Sequence, residues 1–88
     1  MVVFDGFDDC VIGYSEVWGT DGQKVTRIIY EGRKMIRKLM SQGMSEEEAW
    51  EYFQFNIDGA YVGPLTPIIL HKSSLAEILA SEDDGYAE

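Results

Sequence analysis

The chain has 88 residues, a net charge of −9 and a 45% hydrophobic composition. A chain this short buries only about 60% of the surface it exposes when unfolded, so one small core has to hold it together. One cysteine, Cys10, and one histidine, His71, exclude an internal disulfide and the usual Cys/His zinc patterns. The acidic balance argues against direct nucleic-acid binding. No apolar run reaches the length of a membrane span, and MVVFDGFDD has no basic region leading into an apolar core, so no signal peptide is expected. These features predict a single α+β domain over residues 1–81, an acidic tail over 82–88, and a cytoplasmic protein.

Asp9–Trp18 reads as a first strand. Asp21-Gly22 follows, the pair favoured in two-residue hairpin turns, and Lys24–Tyr30 returns as a second strand. That turn sets Trp18 opposite Val25, Val17 opposite Thr26, Glu16 opposite Arg27 and Tyr14 opposite Ile29, and the Glu16–Arg27 pair is of opposite charge. In this register one face carries Val11, Gly13, Ser15, Val17, Thr26, Ile28 and Tyr30 and is expected to meet the core. The other carries Cys10, Ile12, Tyr14, Glu16, Trp18, Val25, Arg27 and Ile29. It is too apolar to stand in water, so the last helix, a second copy or a partner is expected to cover it.

Glu31–Gln42 reads as a helix with Met35, Ile36, Leu39 and Met40 on its apolar stripe and Arg33, Lys34, Arg37 and Lys38 opposite. Gly43 is placed to stop it. Ser45 and Glu48 match a capping box, with acids suited to a helix N-terminus. The second helix is expected to reach Asn56 or Ile57, with Ala49, Trp50, Phe53 and Ile57 as its core stripe and Tyr52 and Phe55 widening it. Gly59 ends that helix, and Gly63-Pro64 marks a turn. Thr66–His71 is a third strand, with Pro67 confined to its start or to an edge. Ser74 and Glu77 form a second capping box before a short helix on Leu75, Ile78 and Leu79. The order is β-β-α-α-β-α, a three-stranded, mainly antiparallel sheet with helices on one face.

The chemistry is sparse. Cys10 and His71, with Asp8 or Asp9 as orienter, have the residue types of a nucleophile–base pair, but nothing nearby supplies an oxyanion hole. A buried structural cysteine and an ordinary strand-end histidine are the preferred assignments. Asp5, Asp8 and Asp9 lack the alternating spacing of a calcium loop, and the glycines of 59–63 lack the lysine of a phosphate loop. No catalytic residue, metal ligand or cofactor is therefore assigned. Six of the seven basic residues lie between Lys24 and Lys38. The stripe of Arg33, Lys34, Arg37 and Lys38 suits phosphate or an acidic partner surface, or else a solvated face neutralised by Glu46–Glu48 or the tail. Tyr14, Trp18 and Arg27 form the candidate partner-binding set, since aromatic and Arg anchors dominate interfaces.

Glu47-Glu48-Ala49, Tyr52-Phe53-x-Phe55-Asn56, Gly59-Ala60-Tyr61-Val62-Gly63 and Thr66-Pro67-Ile68 together resemble a segment of small bacteriophage-encoded accessory proteins. The leader Phe4-Asp5-Gly6-Phe7-Asp8-Asp9 fits the same pattern. The resemblance implies a setting, the cytoplasm of an infected bacterium, and transfers no catalytic residue. The resulting expectation is a non-enzymatic protein that binds a host or viral protein and modulates a host process, such as a defence system; a homodimer that buries the apolar sheet face, and so enlarges the small core, is the other occupant that face admits. A nucleotide-binding protein using the basic stripe, and an acidic mimic of nucleic acid, are the alternatives.

Overall fold

The structure, a computed structural model, describes residues 2–81; the acidic tail expected over 82–88 lies outside them. A 3₁₀ turn, Asp8–Cys10, leads into β1 (Val11–Trp18) and β2 (Lys24–Glu31). Then come α1 (Gly32–Ser41), α2 (Glu46–Phe53), a turn of π-helix at Gln54–Asp58, β3 (Ile68–Leu70) and α3 (Leu75–Ser81). The α+β class and the element order are as expected. The sheet has the order β1-β2-β3, with β1 and β2 antiparallel and the short β3 parallel to β2. A parallel strand needs a crossover connection, and α1 with α2 provides it.

The hairpin register differs from expectation by one residue. Trp18 pairs with Lys24, Val17 with Val25, Glu16 with Thr26, Ser15 with Arg27 and Tyr14 with Ile28. The cause is the loop. Gly22 takes φ +82°, its N–H donates to the Gly19 carbonyl at 3.2 Å, and the Gly19 N–H donates to the Gln23 carbonyl at 2.7 Å. This is the three-residue connection in which a type I turn ends on a left-handed residue, not the two-residue turn that Asp-Gly suggests. Asp21 Oδ1 accepts from the Gln23 N–H at 3.1 Å and helps hold it. A bulge at Ile12 then resets the pairing so that Val11 meets Tyr30.

A one-residue slip exchanges partners across both faces. Tyr14, Glu16 and Trp18 share a side with Lys24, Thr26, Ile28 and Tyr30, whereas Gly13, Ser15 and Val17 share the other with Val25, Arg27 and Ile29. The expected faces are thus corrected: Thr26, Ile28 and Tyr30 lie with the aromatics, and Val25, Arg27 and Ile29 lie away from them. The Glu16–Arg27 ion pair does not form.

The core sits at one end of the Tyr30 side. Tyr30 and its β3 neighbour Ile69, with Ile28, meet Met35, Ile36 and Leu39 of α1, Ala49 and Phe53 of α2, and Ile57. Cys10, which the expected register set on the outer apolar face, is buried in this cluster, in line with its assignment as a structural cysteine. Phe4 and Phe7 close it from the N-terminal side. The Phe4 ring lies 5.2 Å from that of Tyr30, and the Phe4 N–H donates to the Tyr30 hydroxyl at 2.7 Å.

Both capping boxes form. Ser45 Oγ accepts from the Glu48 N–H at 3.1 Å while Glu48 accepts from the Ser45 N–H at 2.9 Å; Ser74 and Glu77 repeat the exchange. Gly43 takes the left-handed backbone expected of a helix stop. Gly59 ends the second helical segment by a different device. Its φ is −87°, and a Cβ there would meet the Gln54 carbonyl oxygen at 3.1 Å, so glycine here eases a close approach of backbone to backbone and does not serve a left-handed turn.

Several expected core residues lie outside. Met40, Trp50, Tyr52 and Phe55 are exposed, as are Leu75, Ile78 and Leu79 of α3, and α3 has no buried residue. The expectation that α3 covers Trp18 and Tyr14 fails with it. The radius of gyration, 14.9 Å, exceeds the roughly 12 Å of a compact domain of this length, in keeping with a projecting hairpin and an undocked last helix. Among the described residues no helix is long and apolar enough to cross a membrane.

Candidate functional site

The hairpin extends beyond the helices, which cover only its Tyr30–Ile28 end. Alternation along β1 therefore aims Tyr14 and Trp18 past the core into solvent, 65% and 70% exposed. Lys24, directly opposite Trp18, lies with Nζ 5.3 Å from the indole centroid, a cation–π contact. The third member of the expected set is elsewhere. Arg27 sits on the opposite side of the sheet, across from Ser15, and its Nε donates to the Thr66 carbonyl.

That bond ties the 61–66 loop to the sheet. Thr66 is buried, and its hydroxyl donates to the Gly63 carbonyl at 2.6 Å and accepts from the Val62 N–H at 2.9 Å. Tyr61 and Pro64 then lie over the Arg27 side of the hairpin, closing a groove of about 320 Å³ with Val17, Val25 and Trp18. Arg27 is a structural strap rather than a neighbour of Tyr14.

The basic stripe divides. Arg33 borders a groove with Trp50, His71 and Glu31. Lys34, Arg37 and Lys38 line a different one, about 320 Å³, with Asp9, Cys10 and Ser41. Lys38 Nζ donates to both carboxylate oxygens of Asp9 at 3.1 Å. That hydrogen bond holds the Asp9 carboxyl below its usual range. Among the described residues the stripe is thus partly neutralised by Asp9, and not by the Glu46–Glu48 acids weighed for that role, leaving Arg33, Lys34 and Arg37 exposed; the tail acids weighed with them lie outside those residues.

Cys10 and His71 occupy separate settings. Burial, with Asp9 next to it, pushes the Cys10 thiol up, away from the thiolate a nucleophile requires; Sγ contacts Asp9 Oδ1 at 3.7 Å. The His71 ring meets Phe53 edge-on at a centroid distance of 5.9 Å and packs on Gly32, where a Cβ would touch ring atoms at 3.0 Å. Among the described residues no three His, Cys, Asp or Glu side chains converge as a metal site. Asp5 and Asp8 remain exposed in the leader.

A further surface was missed from the sequence. Met44, Glu48, Glu51, Tyr52, Phe55 and Asn56 line an open groove of about 470 Å³ on the outer side of α2. Phe55 is 78% exposed and Tyr52 43%. The signal was present in the spacing: at 100° per residue, Phe55 stands about 200° round from Phe53. Counting Phe55 as a widening of the core stripe gave more weight to hydrophobicity than to phase. The π-turn adds its own rotation there, and such turns recur at functional positions.

No protein-family model, no curated protein and no solved structure matches this chain.

Proposed function

We propose that this chain is a non-enzymatic accessory protein that binds a protein partner through the uncovered end of its hairpin, with Trp18 and Tyr14 as anchors. The observation that carries this reading is that two large aromatic side chains stand on one face of a fixed strand with no helix over them. Aromatic anchors of this kind concentrate binding energy, and a strand presents them with little ordering cost on docking. The raised thiol of Cys10 and the structural packing of His71 weigh against catalysis by either. The assigned setting, modulation of a host process in an infected bacterial cytoplasm, rests on the resemblance of residues 46–69 to bacteriophage accessory proteins.

The test compares wild-type protein and Trp18→Ala as bait in a bacterial lysate, with captured proteins identified by mass and folding checked by circular dichroism. A protein held by wild type and lost by a folded Trp18→Ala supports the reading. Identical captures by both refute it. Sedimentation of the two proteins shows whether the occupant is instead a second copy.

A second reading has a specific observation behind it. The groove of Lys34, Arg37, Lys38 and Ser41 suits a phosphate-bearing ligand such as a nucleotide. A ligand that binds only the native state raises the melting temperature, so a thermal-shift series with nucleotides, repeated on Arg37→Ala, decides it.

A further inference from the structure

We infer that the groove on the outer side of α2 is a second docking surface, whose occupant is a basic amphipathic segment of a partner protein. This inference rests on the protein-binding reading only in supposing a partner, since the groove and the Trp18 surface share no residue. The groove is lined by the apolar Phe55, Tyr52 and Met44 together with the acidic Glu48 and Glu51. Glu46 and Glu47 extend the acidic side from the first turn of α2.

Among the described residues the ion pairs are Lys38–Asp9 and Lys72–Glu31, so none of these four glutamates is neutralised by a cation of this chain. Residues 45–70 contain no Lys or Arg. A matching partner therefore brings its own cations flanking an apolar anchor, as an amphipathic helix laid in a groove does. The net charge of −9 steers such a partner in and opposes a second copy of this chain. Phe55 supplies the anchor contact. The π-turn at Gln54–Asp58 fixes its position, and the Asn56 Nδ2 donating to the Tyr52 carbonyl at 3.1 Å braces it.

The probe is a fluorescein-labelled amphipathic helical peptide of leucine and lysine, with two references: the same peptide carrying glutamate for lysine, and an all-lysine peptide. Anisotropy titrations are run on the full chain. The leucine–lysine peptide is expected to bind more tightly than both references, with affinity falling as salt rises. Phe55→Ala is expected to weaken it by about tenfold or more, while circular dichroism shows the fold retained. Glu51→Gln is expected to weaken it more than Asp5→Asn, which removes the same charge from the exposed leader. The proposal is overturned if Phe55→Ala binds as wild type does, if Glu51→Gln and Asp5→Asn are equivalent, or if the all-lysine peptide binds as well. It is also overturned if sedimentation shows the chain self-associating through Phe55, which makes a second copy the occupant. None of these results involves Trp18, so failure here leaves the hairpin reading to its own test.

Discussion

Tyr30→Phe tests how the N-terminal segment is held. Tyr30 is fully buried at the centre of the core, and its hydroxyl accepts from the Phe4 N–H at 2.7 Å across 26 residues of sequence. Removing the oxygen leaves the ring and its 5.2 Å contact with Phe4 in place, so no cavity of consequence opens. What is lost is the hydrogen bond, with a partly buried backbone N–H left without its acceptor. That deficit costs about 1–2 kcal/mol. For a domain of this size each kcal/mol moves the midpoint by about 4–8 °C, so the melting temperature should fall by about 5–15 °C. Urea titration followed by tryptophan fluorescence should show the midpoint moving with little change in slope. Tyr14→Phe, altering an exposed hydroxyl, should shift neither quantity. Equal midpoints for wild type and Tyr30→Phe would refute the role assigned to the Phe4–Tyr30 bond and to the leader as a lid on the core.

Other outcomes follow from the same geometry. Gly22→Ala places a Cβ at φ +82° and should cost about 1 kcal/mol by thermal unfolding; no loss would mean that the three-residue hairpin loop is wrong. Ser45→Ala removes one half of the first capping box and should cost about 1 kcal/mol, with helix content falling in circular dichroism. Cys10 should resist thiol reagents in the native state and react fully in urea. Because its folded value is raised, its contribution to stability is complete below the unfolded thiol value and is lost as pH rises through the folded one, which a stability-versus-pH series on wild type and Cys10→Ala detects. Asp9 has the opposite sign. Its lowered value means that its contribution is present above the unfolded carboxyl value and lost as pH falls through the folded one. Lys38→Met should return the Asp9 titration, followed by NMR, towards the ordinary range.

Much of the architecture was legible in the chain because its signals are local. Ser45 and Glu48 close their box through backbone groups three residues apart, and Ser74 and Glu77 do the same. Gly43 stops α1 where the helical period ends. Pro67 stands immediately before β3, where its missing N–H costs no ladder bond. Met35, Ile36 and Leu39, spaced for one helix face, do meet the core. Each of these depends on a few neighbouring residues and on dihedral preferences fixed by covalent structure.

Tertiary structure decided what depends on distance in sequence or on a choice between near-equal local states. Asp21-Gly22 admits both a two- and a three-residue loop, and it is the three-residue one, closed between Gly19 and Gln23, that forms. With that choice Arg27 moved from the Trp18 face to the far side, where Thr66, distant in sequence, gives it a partner. The parallel pairing of Ile69 with Tyr30 required the whole helical crossover. Phe53 and Phe55 are equally apolar and their helical phase sets them on different sides; the packing of α2 decided which side meets the single core a chain of this length can form. Composition set the amount of apolar surface, and the fold determined that Trp18 and Phe55 carry part of it into solvent.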